Sequence, residues 1–441
     1  SDYEFKAPAR DGYGIAWPIG YADVAPWYSH VEHFIGVCGN KDGIEAMPDG
    51  EFLPPYEFNC VERHMHDTLR QHFPGRHLVQ GRWAHLSEPK EVHHQQGRAR
   101  CQSRTRCMRG CPYGAYFSSN SSTLPWAEKT GNLTVRPFSV VHSILYDETT
   151  GKASGVKVID TNTKQEMVFR SRIIFVNASA LNTNLILLHS QSNRFPNGLG
   201  NDNGLLGKYI GFHNYRGFAN GRIEGFAGKY VYGRNPTECI IANYRNLKKR
   251  DADFYGGYTI FTGAYRERTH SLPEGQPQLG AAFKEALTKP GNWMVYMYMQ
   301  GETIPKKTNR VYLSGDKKDQ WGIPLLVTDV GYDQNDEQLV ADFLRESRAM
   351  LTTVGCKDIY TNDNKQAPGL DIHEMGGVRM GKNPEDSLLN EHNQLHGCKN
   401  VFVTDGACMT STGNQSPSIL YMALTARAAA YAAGQFKEGI L

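Results

Sequence analysis

His373 opens the run His373-Glu374-Met375-Gly376-Gly377-Val378-Arg379-Met380-Gly381, in which an imidazole is followed closely by three glycines. Imidazole ionises nearest neutrality of all side chains, so it is the natural group to take or return a proton. Glycines beside it let the backbone approach a planar ligand closely. A histidine alone in such a loop is more often structural, and it is its companions that suggest chemistry. Val401-Phe402-Val403-Thr404-Asp405-Gly406-Ala407 reads as a strand ending in an acidic turn. Thr412-Gly413-Asn414-Gln415-Ser416-Pro417-Ser418 then runs into an Ala-rich helix over 419–436. Ser416 suits an N-cap and Pro417 the first helical position. A helix start carries unpaired N–H groups and a partial positive charge, which favours an anionic ligand there. An ordinary capped terminal helix has the same signature.

A second set is Cys101, Cys107 and Cys111, crowded into eleven positions while the other six cysteines are dispersed. Thiolates at such intervals suit an iron–sulfur cluster, and three ligands would match a three-iron one. A disulfide pair plus a free thiol fits the spacing as well. Cys60 and His64, at i and i+4, read as helix packing. Tyr296 and Tyr298 suit either a wall for stacking sugars or an ordinary strand core, where aromatics are commonplace.

Positioning these residues requires a scaffold. Helical spacing predicts helices over 22–37, 57–73, 181–189, 335–354 and 419–436. Short alternating or apolar runs predict strands over 133–136, 142–146, 153–160, 166–176, 293–300, 310–313, 324–330 and 400–404. Within these, 172–176 has the continuous apolar character of a strand buried on both faces. Residues 74–123 form a long turn-rich stretch holding the cysteines, a length that is uncommon unless the loop is functional or held by something. The expected class is mixed α/β (α+β): one α/β layer interrupted by a second, mostly antiparallel region. A strand, a G-x-G-x-x-G turn and a helix within about 30 residues would mark a dinucleotide fold. No such unit occurs, and the glycines at 36, 39 and 43 follow a helix instead.

Composition excludes several classes. The chain has 441 residues, 48 Lys and Arg against 45 acidic residues, and a net charge of +3. That parity gives no basic footprint for nucleic acid. No run of about 18 apolar residues predicts a membrane span. No signal pattern marks the first residues, so the compartment is not legible there. Nine cysteines, an odd number, argue against a simple disulfide framework.

The order His-x-x-Gly-x-x-Arg-Met-Gly, then Val-x-Asp-Gly, then Gly-Asn before a Ser-rich helix start resembles the carboxy-terminal part of the glucose-methanol-choline (GMC) oxidoreductases. Weaker resemblances lie at Trp17-Pro18-Ile19-x-Tyr21, Cys111-Pro112-x-Gly114-Ala115, Val176-Asn177-Ala178, Asn309-Arg310-Val311 and Asp319-x-Trp321-Gly322-Ile323-Pro324. The resemblance implies an incomplete Rossmann-like FAD-binding domain from 124–215 and 365–441. It implies a substrate domain from 1–123 and 216–364, built on a mostly antiparallel sheet and including the cysteine loop. The family's amino-terminal glycine-rich unit has no counterpart, and residue 1 matches a point inside the family's sequence.

By position, the family's catalytic base becomes His373 and its partner Asn414. Asp405 and Gly406 fall near the flavin ribityl and pyrophosphate, Gln415, Ser416, Pro417 and Ser418 against the isoalloxazine ring, and Val140 at a further cofactor-binding position. The implied activity is FAD-dependent oxidation of a sugar or glycoside hydroxyl, closest in form to bacterial glucoside 3-dehydrogenases. Electrons would leave through a three-iron cluster on Cys101, Cys107 and Cys111 to a cytochrome or small-subunit partner, in a periplasmic setting. Other family members carry a similar Gly-Cys-Pro-x-Gly-Ala segment with no metal there. An oxygen-using oxidase and a truncated, non-catalytic fragment are the alternative readings.

Overall fold

The computed structural model describes residues 1–229, 238–268, 276, 278–370 and 372–441. Alternating residues in the tyrosine-rich middle build its largest sheet. The strands run in the order Leu78–Gln80, Cys239–Ile241, Tyr258–Arg268, Pro290–Glu302, Gly217–Ile223 and Lys357–Asp363, all neighbours antiparallel. A short piece, His213–Asn214, pairs with the end of Pro290–Glu302, setting His213 opposite Glu302. Successive strand residues face opposite sides. Val295, Met297 and Met299 therefore share one face and are fully buried beneath the helices Cys60–His72 and Gln334–Val354. The opposite face carries Tyr296, Tyr298 and Gln300, with Thr259 opposite Gln300 and Phe261 opposite Tyr298.

A second core joins the chain's first residues to its last. Phe5, Trp17, Ile19 and Val24 pack with Leu187, Met375, Val403 and Leu424. At its centre Ile174–Phe175 and Val401–Phe402 form a parallel pair, which accounts for the continuous apolar run at 172–176. Around it lie a three-stranded antiparallel sheet (Ser139–Asp147, Lys152–Asp160, Glu166–Arg170) and a four-stranded one (Pro324–Asp329, Arg310–Lys318, Lys208–Gly211, Met375–Gly377). The architecture is mixed α/β with predominantly antiparallel sheets, as expected.

Details differ from the sequence reading. Residues 133–136 form no strand. The run 166–176 splits into two strands, because Ser171 and Arg172 turn the chain from one sheet to the other. The long stretch 74–123 holds one short strand, one short helix and two single turns. Much of it is held by Arg98, which is 1% exposed and donates to Gly114 O at 2.7 Å and Ile35 O at 2.8 Å. Among the described residues no helix is long and apolar enough to cross a membrane.

Candidate active site

His373 sits just ahead of the strand Met375–Gly377 with a backbone φ of 72°. That left-handed conformation is unfavourable for a residue with a Cβ, and such strain gathers at functional sites. Its Nδ1 lies 2.8 Å from Nδ1 of His213 and 3.3 Å from Tyr215 Oη. The two imidazoles meet edge to face, with centroids 4.9 Å apart. His213 Nε2 lies 3.2 Å from the Gly413 carbonyl oxygen. Tyr215 in turn donates to Gln300 Oε1, and Gln300 Nε2 donates to Asn414 O at 3.1 Å. Burial disfavours imidazolium here: it pulls His373 down to about 4 and His213 to about 3. Both rings are neutral at ordinary pH.

Asn414 is 3% exposed, and its Oδ1 accepts from Thr259 Oγ1 at 2.9 Å and from Gln415 Nε2 at 3.1 Å. Its described link to His373 runs through the Gln300 and Tyr215 side chains. Ser416 joins the same chain of groups, donating to Gln300 Oε1 at 3.3 Å.

Beside this network opens a cavity of about 580 Å³ whose wall includes Gln415, Ser416, Pro417 and Ser418. That volume lies in the ordinary range for cofactor and ligand sites. The terminal helix spans Ser418–Lys437 with Pro417, not Ser416, as its N-cap, because the chain turns helical one residue later than the sequence suggests. No side chain caps that end. Pro417, Ser418, Ile419 and Leu420 at that end line the cavity, so the uncapped N–H groups of a helix start lie close to it. Trp17, Tyr28, Trp83 and Phe261 supply flat apolar walls. Donors at one rim and aromatic faces around it fit the ring system of a flavin.

The other expected cofactor residues lie elsewhere. Asp405 and Gly406 are not in this cavity wall. The Asp405 carboxylate accepts from Thr183 Oγ1 at 2.6 Å and Ala407 N at 3.0 Å, while Gly406 is buried with the Glu374 carbonyl 2.5 Å from where a Cβ would stand. Val140 is half-buried in the three-stranded sheet, also outside the wall. The glycines after His373 serve packing more than ligand approach. A Cβ on Gly376 would lie 2.2 Å from Tyr209 O, and one on Gly377 2.2 Å from Asn184 Oδ1.

The cysteine geometry gives the cluster expectation no support. Cys101 and Cys111 pack beside Cys38, Leu53, Leu86 and Ala115, while Cys107 begins a one-turn helix. All nine cysteines carry free thiols, so no disulfide pair forms. Among the described residues no three His, Cys, Asp or Glu side chains converge to hold a metal ion. Nothing in this arrangement supports a three-iron cluster on Cys101, Cys107 and Cys111.

His213, Tyr215, Thr259 and Gln300 stand in no sequence motif. The polar run His213-Asn214-Tyr215-Arg216 between apolar strands was the available signal.

Two family models, both described as GMC oxidoreductase, match residues 83–211 and 305–425, together more than half of the chain. The chain belongs to the GMC oxidoreductase family. It is thus a FAD-dependent oxidoreductase acting on alcohol or sugar hydroxyls, as this family's members are. It is 29% identical to the 2-methyl-1,2-propanediol dehydrogenase of Mycolicibacterium austroafricanum, over 96% of this chain and 76% of that protein. It is 24% identical to the fructose dehydrogenase large subunit of Gluconobacter japonicus, over 99% of this chain and 78% of the relative. Its fold is similar to that of a FAD-dependent oxidoreductase from Chaetomium thermophilum, with a TM-score of 0.58 at 10% identity over 99% of this chain and 84% of that one.

Proposed function

We propose that this GMC oxidoreductase is a dehydrogenase of a sugar or glycoside hydroxyl, with His373 as the base, passing electrons to an acceptor other than oxygen. The observation that carries the reading is the pose of His373. Its Nδ1 is engaged by His213 and Tyr215, its Nε2 has no hydrogen bond among the described residues, and its ring is neutral. A neutral, one-sided imidazole is ready to accept a proton from a hydroxyl. Both relatives named above are dehydrogenases, one of them of a sugar, which supports the dehydrogenase reading.

FAD, when bound, supplies the acceptor for the carbinol hydride. Gln415, Ser416, Pro417 and Ser418 and the uncapped helix start would hold its ring; Asp405, Gly406 and Val140 would act on it from outside this cavity. His373 Nε2 takes the hydroxyl proton. Ser416, at the cavity wall, has its hydroxyl proton committed to Gln300 Oε1 and so fixes the turn against which the ring would lie. Asn414, with its Oδ1 committed to Thr259 and Gln415, acts by fixing the turn that carries Ser416. A small subunit or cytochrome would receive the electrons, in a periplasmic setting.

The test is anaerobic flavin reduction by a panel of sugars, glycosides and simple alcohols, followed by turnover with an artificial acceptor and with oxygen. Reduction by a sugar, acceptor-linked turnover, and at least a hundredfold loss in His373→Ala are expected, since general-base help is worth about 10²–10⁴-fold. Hydrogen peroxide formation at the acceptor-linked rate would overturn the dehydrogenase assignment. Near-wild-type reduction by His373→Ala would overturn the base.

A further inference from the structure

We infer that His213 is a positioning residue: it fixes the tautomer of His373, holding the proton on Nδ1 and leaving the Nε2 lone pair bare. The catalytic significance of this rests on the reading of His373 as the base.

The Gly413 carbonyl oxygen can only accept, and it lies 3.2 Å from His213 Nε2, so that nitrogen carries a proton. His213 is 2% exposed, and burial with His373 beside it keeps the ring from becoming a cation. A neutral imidazole has one N–H, so His213 Nδ1 presents a lone pair. Nδ1 of His373 stands 2.8 Å away, and a hydrogen bond between the two requires that His373 donate. With its proton on Nδ1, neutral His373 has a bare Nε2.

Tyr215 agrees with this order. Gln300 Nε2 is fixed as a donor by Asn414 O, which turns Gln300 Oε1 towards Tyr215. The Tyr215 hydroxyl gives its proton to that oxygen, so at 3.3 Å from His373 Nδ1 it can only accept. Each contact from Gly413 and Asn414 inward thus selects the same tautomer, the one whose lone pair a general base uses. Second groups that orient a histidine in this way commonly decide which ring nitrogen is protonated.

Glu302 secures the far end. It lies opposite His213 across the strand pair, and the Gly413 N–H donates to its carboxyl. Gly413, with φ of 62°, is therefore held through its N–H by Glu302 and through its carbonyl by His213.

The test pairs ¹⁵N histidine NMR with two substitutions that divide the functions of His213. In the wild type, the His373 signals, assigned by their loss in His373→Gln, are expected to show a protonated Nδ1 and an unprotonated Nε2. A protonated Nε2 with a bare Nδ1 would overturn the inference whatever the activity. His213→Asn keeps an acceptor where Nδ1 was, and His213→Gln keeps a donor to Gly413 O but offers no acceptor to His373. The expected result is that Asn retains the His373 tautomer and flavin reduction within a few-fold. Gln is expected to mix the tautomers and to lose about tenfold or more, within the reach of general-base effects. The opposite order would mean that His213 serves only to anchor the Gly413 turn. Should His373→Ala prove as active as wild type, the base assignment falls while the tautomer measurement stands on its own.

Discussion

Ser416 Oγ donates to Gln300 Oε1 at 3.3 Å, tying the start of the terminal helix to the central strand of the large sheet. Gln300 is 1% exposed and also accepts from Tyr215 and donates to Asn414 O. One amide therefore joins the groups around His373 to the turn at the cavity wall.

Gln300→Leu keeps much of the volume and removes all three hydrogen bonds. Buried groups left without partners cost about 1–3 kcal/mol, so the unfolding free energy from urea titration is expected to fall by about that amount. Substrate-driven flavin reduction is expected to slow about tenfold or more, because small displacements of positioned groups are expensive in rate. An unchanged rate in a folded variant would separate Gln300 from the site.

Glu302 predicts a pH effect on stability. Burial, with the charge of Glu4 adding to it, pushes its carboxyl up to about 8, against the opposing hydrogen bonds from Gly413 N and Tyr13. The unfolded chain releases this proton near pH 4.5, so between the two values the folded state holds a proton that the unfolded state has lost. Its stabilising contribution is full below about pH 4.5 and falls as pH rises towards 8. Glu302→Gln removes that dependence while keeping a hydrogen-bonding side chain. Thermal unfolding is expected to show the variant gaining on the wild type steadily from pH 5 to pH 8. A gap that stays constant would mean that Glu302 is ionised in the folded protein throughout.

Much of this was legible in the sequence because the signals were local. The helix Gln334–Val354 follows a 3.6-residue pattern, Ser418–Lys437 is Ala-rich behind a Ser-Pro start, and Pro290–Glu302 alternates over Trp293–Met299. His373 and Gln415 to Ser418 stand in compact motifs. His213 and Gln300 are different. They lie 160 and 73 positions from His373, and the pairings of His213–Asn214 with Gly301–Glu302 and of Met375–Gly377 with Lys208–Gly211 bring them together. A register is a property of two segments, and neither segment carries it alone. The cysteines are the converse case. Their spacing is compact, but the loop directs Cys101 and Cys111 into packing with Leu53 and Leu86.

Gly376 tests why glycines follow His373. Its φ is 88°, and the nearest atom to an added Cβ is the backbone oxygen of Tyr209 at 2.2 Å. Backbone in a paired strand has no room to give. Gly376→Ala is expected to unpair Met375–Gly377 from Lys208–Gly211 and leave little soluble protein, with or without added FAD. Recovery of a stable Gly376→Ala protein by FAD alone would place the constraint in the cofactor site instead.

Arg216 ties the strand that follows His213 and Tyr215 to two other elements. Its side chain is 4% exposed and pairs with Glu337 on the helix Gln334–Val354 and with Asp363, at 2.6 Å, on the strand Lys357–Asp363. Burial works against ionisation of Asp363, but hydrogen bonds from Arg216 and Lys365 outweigh it and hold the carboxyl well below its usual range. Arg216 likewise lowers Glu337. Carboxylates depressed in the folded state contribute stability that is present above their unfolded values and is lost as pH falls through the folded ones. Arg216→Met is expected to cost about 3 kcal/mol at pH 7, the lower end for breaking a buried pair because Glu337 keeps half its exposure. That deficit should shrink below about pH 4, where the unfolded carboxylates begin to take up protons and the wild type loses what the arginine supplied. A deficit independent of pH down to pH 2 would show that Arg216 acts through packing, including its contact over the Tyr332 ring at 5.3 Å, and not through its charge.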